Sequence, residues 1–423
     1  MNAYRRVLSI LPAIWLSLAL FLPAQDLTTA SPREVGLSTE RLQRIDEVMT
    51  QMVDEGKVPG VVALIARQGK VAYLKSFGTL DGNRPMPTDA IFRIASQSKA
   101  ITTAAIMILL EEGKLLLSDP VSLYIPEFKN SKVAIREGNS GYRVESAKRE
   151  ITIKHLLTHT SGISYGNNAP AEEEYRKAGT HGWFFADQDR PIGEAIRALA
   201  KVPFDAHPGE KYIYGFNTDI LGHVVEKVSG MTLEEFFEER IFKPLGMEDT
   251  HFYLPEEKKN RFTAVFGAKE NGTIELIESA TDNSYVKGPR RAFSGGAGLL
   301  STAMDYARFL QMLLNGGRFN GSQILSPKTV ELMTADHVGE LYGSRGFGFG
   351  FWVNERLGQL DRLGSVGAYG WGGAYYTTYW VDPAEELVAV MMTQLRPAGG
   401  VGLQERFNNL VYQSIVRSGQ EPE

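Results

Sequence analysis

Two predicted β-hairpins at opposite ends of the chain constrain its fold more than any other feature. The first covers residues 61–67 and 71–77 with a turn at Gln68-Gly69, and the second covers residues 377–381 and 387–393 with a turn at Asp382-Pro383. Runs rich in Val, Leu, Ile and aromatic residues that end at Gly or Pro are typical of antiparallel strands. Because an isolated hairpin is barely stable in water, we expect both chain ends to share one sheet.

Most of the chain between the hairpins is predicted to be helical, because apolar residues recur there at the spacing of one helix face. A helix before the first hairpin has Ser38 or Thr39 as its cap and ends at Gly56. The other predicted helices cover residues 101–110, 192–199, 218–228, 233–241, 302–314 and 403–416. These patterns predict an α+β fold, in which an antiparallel sheet flanked by helices carries an inserted, mostly helical region.

The predicted domain division follows from this order. Residues 25–94 and 292–423 form an α/β domain, and residues 95–291 form a mostly helical domain. Residues 130–150 and 164–190 are rich in polar residues and Gly, so they are expected to be surface excursions or the rim of a pocket. A cleft is expected where the two parts meet.

The N-terminal residues have the pattern of a secretory signal peptide, predicted over residues 1–24. Arg5 and Arg6 precede an apolar run over residues 7–22, and Leu22-Pro23-Ala24 provides a cleavage region. A retained membrane anchor is the alternative, but the run is shorter than the roughly 20 residues that cross a bilayer. We therefore expect a periplasmic or secreted protein with no stable membrane span after cleavage.

Composition and spacing exclude several classes of function. The chain contains no Cys, which excludes disulfides, thiol catalysis and thiolate metal sites. A net charge of -5 without a basic stripe argues against nucleic-acid binding. His155 and His159 are spaced for one helix face, but no His-Glu-x-x-His pattern or nearby carboxylate completes a metal site, so neither a metal nor a cofactor is expected.

Ser96 and Lys99 are the strongest candidates for chemistry. Residues 92–99 run directly into the predicted helix at 101–110, which places Ser96 at a helix N-terminus and Lys99 one turn later on the same face. The partial positive charge of the helix end and the ammonium both favour an alkoxide at Ser96. The same spacing at Ser284 and Lys287 is followed by Gly288-Pro289, which do not continue a helix, so we interpret it as chance.

Further motifs follow Ser96-x-x-Lys99 in a fixed order. They are Thr158-His159-Thr160-Ser161-Gly162, Pro208-Gly209, Tyr214-Gly215-Phe216-Asn217, Ser294-Gly295-Gly296-Ala297-Gly298 and Trp371-Gly372-Gly373-Ala374. This set resembles the penicillin-recognising serine hydrolases, specifically the class C β-lactamase-like branch that includes the family VIII carboxylesterases. The resemblance covers nearly everything after the signal peptide and implies a β-lactamase/transpeptidase-like fold.

The resemblance implies roles for individual residues. Ser96 is the acylated nucleophile, Lys99 is its partner, and Tyr214 moves the proton. The amide hydrogens of Ser96 and Ala374 form the oxyanion hole. A phenol holds its proton at neutral pH, but an ammonium such as that of Lys99 favours the phenolate, which supports the role of Tyr214.

The chain departs from the branch at two motifs, and both departures concern substrate binding. Phe216 stands where the usual Tyr-x-Asn motif has its amide, and Asn217 comes one residue late. Both are candidate substrate-binding residues: Asn217 offers an amide donor if its side chain turns into the cleft, and otherwise Phe216 offers an apolar contact. Trp371, Gly372 and Gly373 replace the Lys-Thr-Gly of β-lactamases, as in carboxylesterases. They carry no cation or hydroxyl for a substrate carboxylate, which disfavours anionic β-lactams.

The sequence therefore predicts a serine hydrolase that cleaves carboxylic esters through an acyl-serine, with a small-molecule ester as its substrate and weak β-lactam hydrolysis left open. A β-lactamase, D-peptidase or acyltransferase of the same fold, or a non-turnover penicillin-binding protein, is the alternative. Aromatic residues at 183–185 and 347–352 are candidates for the pocket wall, but such residues are also common in cores.

Overall fold

The computed structural model describes residues 26–138, 141–358 and 362–417. The predicted signal peptide at residues 1–24 lies outside them. No helix in the described part of the chain has the length and hydropathy that a membrane span requires.

The strands fall into one large sheet and several two-stranded ribbons. In chain order they are β1 Thr28–Thr29, β2 Gly60–Arg67, β3 Lys70–Gly78, β4 Phe92–Arg93, β5 Lys132–Glu137, β6 Gly141–Ser146, β7 Val265–Ala268, β8 Ile274–Glu278, β9 Leu300–Ser301, β10 Arg318–Phe319, β11 Ser322–Gln323, β12 Gly346–Phe347, β13 Trp352–Val353, β14 Tyr369–Gly372, β15 Thr378–Asp382 and β16 Leu387–Met392.

The helices lie before, between and after these strands. They are α1 Thr39–Asp54, α2 Ser98–Glu111, α3 Ile153–Leu157, α4 Glu172–Lys177, α5 Ile192–Leu199, α6 Asn217–Ser229, α7 Leu233–Phe237, α8 Lys243–Leu245, α9 Ser284–Lys287, α10 Ala303–Leu314, α11 Pro327–Met333 and α12 Leu403–Gln413, with a π-helical turn at Glu238–Phe242 between α7 and α8.

The two chain ends form one sheet, as the hairpins predict. Its strand order is β1-β3-β2-β16-β15-β14-β13-β12, and the two hairpins meet where Leu64 pairs with Val390 of the antiparallel strands β2 and β16. Every pair in this sheet is antiparallel except that between β1 and β3. The predicted α+β class, with an antiparallel sheet flanked by helices and a mostly helical insertion, is confirmed.

The sheet separates two hydrophobic cores, which explains why its central strands are apolar along their whole length. On β2, Val62 and Leu64 face one core while Val61, Ala63 and Ile65 face the other, and all are buried. Helices α1 and α12 pack in the second core, and α10 and the helices of the insertion pack in the first. The site lies at the edge of the first core, where α2 meets β14.

Local signals fixed the helix ends well. Ser38 caps α1 by accepting a hydrogen bond from the Arg41 amide, as predicted.

The predicted polar excursion at 130–150 contains the antiparallel ribbon of β5 and β6, which no periodic pattern indicated. The boundaries of the two predicted domains stay a prediction.

Candidate active site

Ser96 lies in a tight turn that leads directly into α2. Ala95–Gln97 form a 3-10 turn, and Ala95 has a φ of 42°, a left-handed conformation that costs energy for a residue with a side chain. The turn is held from both sides, because the Leu299 amide donates to Ser98 Oγ at 3.1 Å and Tyr306 Oη donates to the Gln97 carbonyl at 2.8 Å. Ser96 is therefore half-buried at the positive end of a helix, as the sequence predicted.

Lys99 brings an almost fully buried ammonium to this serine. Its Nζ lies 3.3 Å from Ser96 Oγ, 3.1 Å from Tyr165 Oη and 2.7 Å from the Gly296 carbonyl oxygen, and the residue is 1% exposed. These three hydrogen-bond partners are neutral oxygen atoms. The ammonium is thus held in place and can act on the hydroxyl of Ser96.

Tyr214 lines the same cleft as Ser96. Lys99 Nζ lies 4.7 Å from the centre of its ring, and Trp371 Nε1 donates a hydrogen bond to its Oη at 3.2 Å. The ammonium and the indole N–H are both placed to stabilise negative charge that develops on the phenolic oxygen during a reaction. Lys99 thus contacts Ser96 directly, and Tyr214 lies beside Lys99 in the same cleft, while the catalytic roles of the three residues stay a prediction.

His159 packs against Tyr214 as a neutral aromatic residue. Burial, with a smaller effect of Lys99, lowers the pKa of His159 well below its usual value. Its Nδ1 accepts from Asn217 Nδ2 at 2.9 Å, and its ring centre lies 4.7 Å from that of Tyr214.

His155, the other histidine considered as a metal ligand, uses its Nδ1 to accept a hydrogen bond from the Thr152 amide at 3.1 Å. Among the described residues, no group of three or more His, Asp or Glu is placed to hold a metal ion.

The structure corrects the predicted substrate contacts of Phe216 and Asn217, which are both fully buried. Asn217 Oδ1 accepts from Ser161 Oγ, and its Nδ2 donates to His159 and to the Ile163 and Ile213 carbonyls. Since Asn217 opens α6 and its amide is used inside the protein, it fixes the segment before Tyr214. Phe216 packs behind the ring of Tyr165, with the ring centres 4.9 Å apart. Neither side chain reaches the cleft.

The end of β14 and the two residues after it, Gly373 and Ala374, form one wall of the cleft. Gly372 pairs with Thr378 at the end of β14. Gly373 approaches the backbone of Ile94 so closely that a Cβ there would lie inside 3.0 Å of the Ile94 carbonyl oxygen. This packing sets the end of β14 beside the turn of Ser96, with Ala374 exposed on the cleft. Paired amide donors from Ser96 and Ala374 stay a prediction.

The cleft has a volume of about 590 Å³ and is dominated by aromatic side chains. None of the described residues that line it carries a formal charge. They are Ser96, Tyr165, Trp183, Tyr214, Trp352, Trp371, Gly372, Gly373, Ala374, Tyr376 and Gln404. Trp183 and Trp352 come from the two aromatic segments that the sequence left unassigned.

Two residues that contact Lys99, namely Tyr165 and Gly296, were not predicted from the sequence. Tyr165 belongs to the predicted excursion at 164–190 and reaches Lys99 across 66 positions. Burial, with smaller effects of Tyr214 and Asp219, raises the pKa of Tyr165 well above its usual value, so its hydroxyl stays neutral. Gly296 stands in one of the ordered motifs, which was the only signal for it in the sequence. Its contact with Lys99 uses the backbone carbonyl, and such a contact cannot be recognised from residue type.

Comparison with known proteins agrees with this geometry. The sequence profile of the beta-lactamase family matches residues 45–412. The chain belongs to the beta-lactamase family. The predicted resemblance to the penicillin-recognising serine hydrolases and their carboxylesterase branch is thereby confirmed.

Individual members of the beta-lactamase family resemble the chain over most of its length. Esterase EstB from Burkholderia gladioli is 30% identical over 85% of this chain and 92% of its own. Protein Rv1367c from Mycobacterium tuberculosis is 32% identical over 82% and 88% of the two chains. The solved structure of EstCE1, a hydrolase with promiscuous acyltransferase activity, superposes with a TM-score of 0.77 at 29% identity and covers 88% of this chain and 99% of EstCE1. The family and the geometry identify the chain as a serine hydrolase.

Proposed function

We propose that this protein hydrolyses neutral carboxylic esters through a covalent acyl intermediate on Ser96. The observation that carries the proposal is the contact of Lys99 Nζ with Ser96 Oγ, together with the position of Tyr214 beside Lys99 in the same aromatic cleft. The names of EstB and EstCE1 support the same reaction class.

In the first half-reaction, Ser96 Oγ attacks the ester carbonyl. As the new C–O bond forms, the serine proton passes to Tyr214, whose oxygen is favoured as an anion by Lys99 and by the Trp371 N–H. The negative charge on the carbonyl oxygen is held by the amides of Ser96 and Ala374. When the C–O bond to the leaving alcohol breaks, Tyr214 returns its proton to that oxygen.

In the second half-reaction, water replaces the departed alcohol. Tyr214 takes a proton from the water while the water oxygen attacks the acyl carbonyl. When the acid leaves, Tyr214 gives that proton to Ser96 Oγ. The site is then back in its starting state, and the net change is one water added across the ester.

The charge of the cleft favours esters over β-lactams. The described lining residues offer no cation for the carboxylate that common β-lactams carry, because Trp371 stands where a lysine would be needed. Its indole N–H is already bonded to Tyr214. An anionic substrate would therefore lose its solvation without gaining a charged partner.

The test compares substrates and variants. We expect sustained turnover of short-chain nitrophenyl esters, with much lower rates on cephalosporins and D-amino-acid peptides. Ser96→Ala should lose at least about 10³-fold in kcat, and Tyr214→Phe about 10²-fold or more. Full activity in Ser96→Ala would refute the proposal.

The same assay separates the alternatives. A burst of one acyl group per chain without turnover would indicate a penicillin-binding protein that does not hydrolyse its ligand. Faster reaction with cephalosporins or peptides than with esters would indicate a β-lactamase or peptidase. Added alcohols that accept the acyl group faster than water would indicate an acyltransferase.

Export is part of the proposal and rests on the pattern of residues 1–24. Cell fractionation should find the protein in the periplasm or the medium, and its mature N-terminus should lie near Ala24. Retention of the full-length chain in the cytoplasm would contradict export.

A further inference from the structure

Asp219 is a buried carboxylate that the reaction above does not use. It lies in the first turn of α6 and is 1% exposed. Its Oδ1 accepts hydrogen bonds from Ser294 Oγ at 2.5 Å and from the Gly296 amide at 3.1 Å, whereas its Oδ2 is buried with no partner in the described chain. Burying a carboxylate is costly unless a charge compensates it, so its position needs a reason.

The backbone of Gly296 lies between Asp219 and Lys99. Its amide donates to Asp219, and its carbonyl accepts from Lys99 Nζ at 2.7 Å. A Cβ on Gly296 would lie inside 3.0 Å of both Oδ2 and Cγ of Asp219, so only glycine permits this approach. Thr102 Oγ1 donates to the Gly295 carbonyl at 2.7 Å and holds the same loop from α2.

The titratable groups near Lys99 differ in whether they can provide a buried negative counter-charge. The titratable groups around Lys99 are Tyr165, Tyr214, His159 and Asp219, from four segments. Tyr165 and His159 are neutral, as described above. Burial raises the pKa of Asp219, and the ammonium of Lys99 opposes that effect. The hydrogen bonds that Ser294 Oγ and the Gly296 amide donate to Asp219 act in the same direction as Lys99 and favour the ionised carboxylate.

We propose that Asp219 is a positioning residue for the Ser96 reaction, which provides the buried counter-charge of Lys99 and holds the Gly296 carbonyl against its ammonium. The inference rests on the proposed roles of Ser96, Lys99 and Tyr214. Asp219 acts on the reaction through Lys99 and touches no substrate. Removing its charge takes a buried negative charge away from the reacting groups, so the range of pH in which the enzyme works moves to lower pH.

Asp219→Asn tests the charge with little change of shape. The amide oxygen can still accept from Ser294 and Gly296, so the substitution removes the negative charge and places an NH2 group where Oδ2 lies without a partner. We expect both limbs of the kcat/KM profile for a short-chain nitrophenyl ester to move to lower pH by about one unit. A residue with only a structural role would lower the rate at every pH without moving the limbs.

Glu226→Gln is the matched control on the same helix. Glu226 Oε2 is hydrogen-bonded to His223 Nδ1 at 2.7 Å and takes no part in the site, so its variant should keep the wild-type profile. An Asp219→Asn profile that coincides with the wild type at both limbs overturns the inference, even if kcat falls.

Gly296→Ala provides a second test should Asp219→Asn fail to fold. The added methyl group must push the loop away from Asp219 and move the Gly296 carbonyl away from Lys99. We therefore expect kcat to fall at least tenfold and the pH profile to move to lower pH, as in Asp219→Asn. Wild-type rate and profile in this variant would also overturn the inference. Ser96→Ala separates the two proposals, because activity in that variant refutes acyl-serine chemistry, whereas an unmoved Asp219→Asn profile refutes only the role of Asp219.

Discussion

Gly373→Ala tests how the end of β14 supports the reaction. A Cβ on Gly373 would lie inside 3.0 Å of both the Ile94 carbonyl oxygen and Thr377 Oγ1, which is closer than real Cβ atoms come to such groups. Ile94 belongs to the turn that carries Ser96 and cannot move without that turn. The end of β14 must therefore move away from Ile94 by roughly half an ångström or more. A hydrogen bond of ordinary length, about 2.9 Å, is then stretched beyond its effective range.

The expected loss follows from the donor that moves. Ala374 is the next residue, and its amide is one of the two proposed oxyanion donors. Loss of one such donor costs about 10² to 10³ in kcat. The overpacked strand also costs about 1–3 kcal/mol of unfolding free energy. We expect KM to change much less than kcat, because the donor acts mainly on the transition state.

Steady-state kinetics on a short-chain nitrophenyl ester and thermal unfolding measure both effects. Gly364→Ala is the matched control, because a Cβ there would meet neighbouring atoms only at 3.7 Å or more. It should keep wild-type kcat. If Gly373→Ala keeps more than half of the wild-type kcat while folded, the proposed placement of the oxyanion donor is refuted.

Three further predictions concern Trp371, Tyr165 and His251. Trp371→Phe removes the donor to Tyr214, so kcat should fall about tenfold or more, and a wild-type kcat would contradict the role of this bond. Tyr165→Phe removes one of the three partners of Lys99 and should lower kcat/KM about tenfold with little change in melting temperature, so a wild-type value would show that this bond is dispensable. Burial lowers the pKa of His251 to about 4, so as pH falls the unfolded chain binds a proton at this residue before the folded chain does. Up to about 3 kcal/mol of unfolding free energy is therefore lost between pH 6.5 and pH 4. Measured by urea unfolding, His251→Gln should lose less over the same range, and an equal loss would contradict the assignment.

The sheet and the long helices could be predicted because their signals are local. The cap at Ser38 and the apolar strand from Val61 to Ile65 carry the information within a few residues, and the observed elements agree. The ribbon of β5 and β6 could not be predicted, because its strands show no regular apolar alternation, and β5 is held by pairing with β6 and with the distant residue Phe204.

The placement of Ser96 and Lys99 at the start of α2 could be predicted because motif order and helix geometry constrain it, while their catalytic roles stay a prediction. The predicted substrate contact of Asn217 was wrong because a shift of one residue in the first turn of α6 changes the direction of a side chain. Packing against residues 159–163 sets the direction of the Asn217 side chain. Tyr165 and Asp219 act through contacts between segments distant in the chain, which no local pattern encodes.

Trapping the acyl intermediate tests the central claim most directly. The enzyme is mixed with a nitrophenyl ester, quenched in acid within the first turnover, digested and analysed by mass spectrometry. We predict one added acyl group per chain on the peptide that contains Ser96, and none in Ser96→Ala. An active enzyme whose acyl group is found on another residue, or that forms no acyl adduct, would contradict the account.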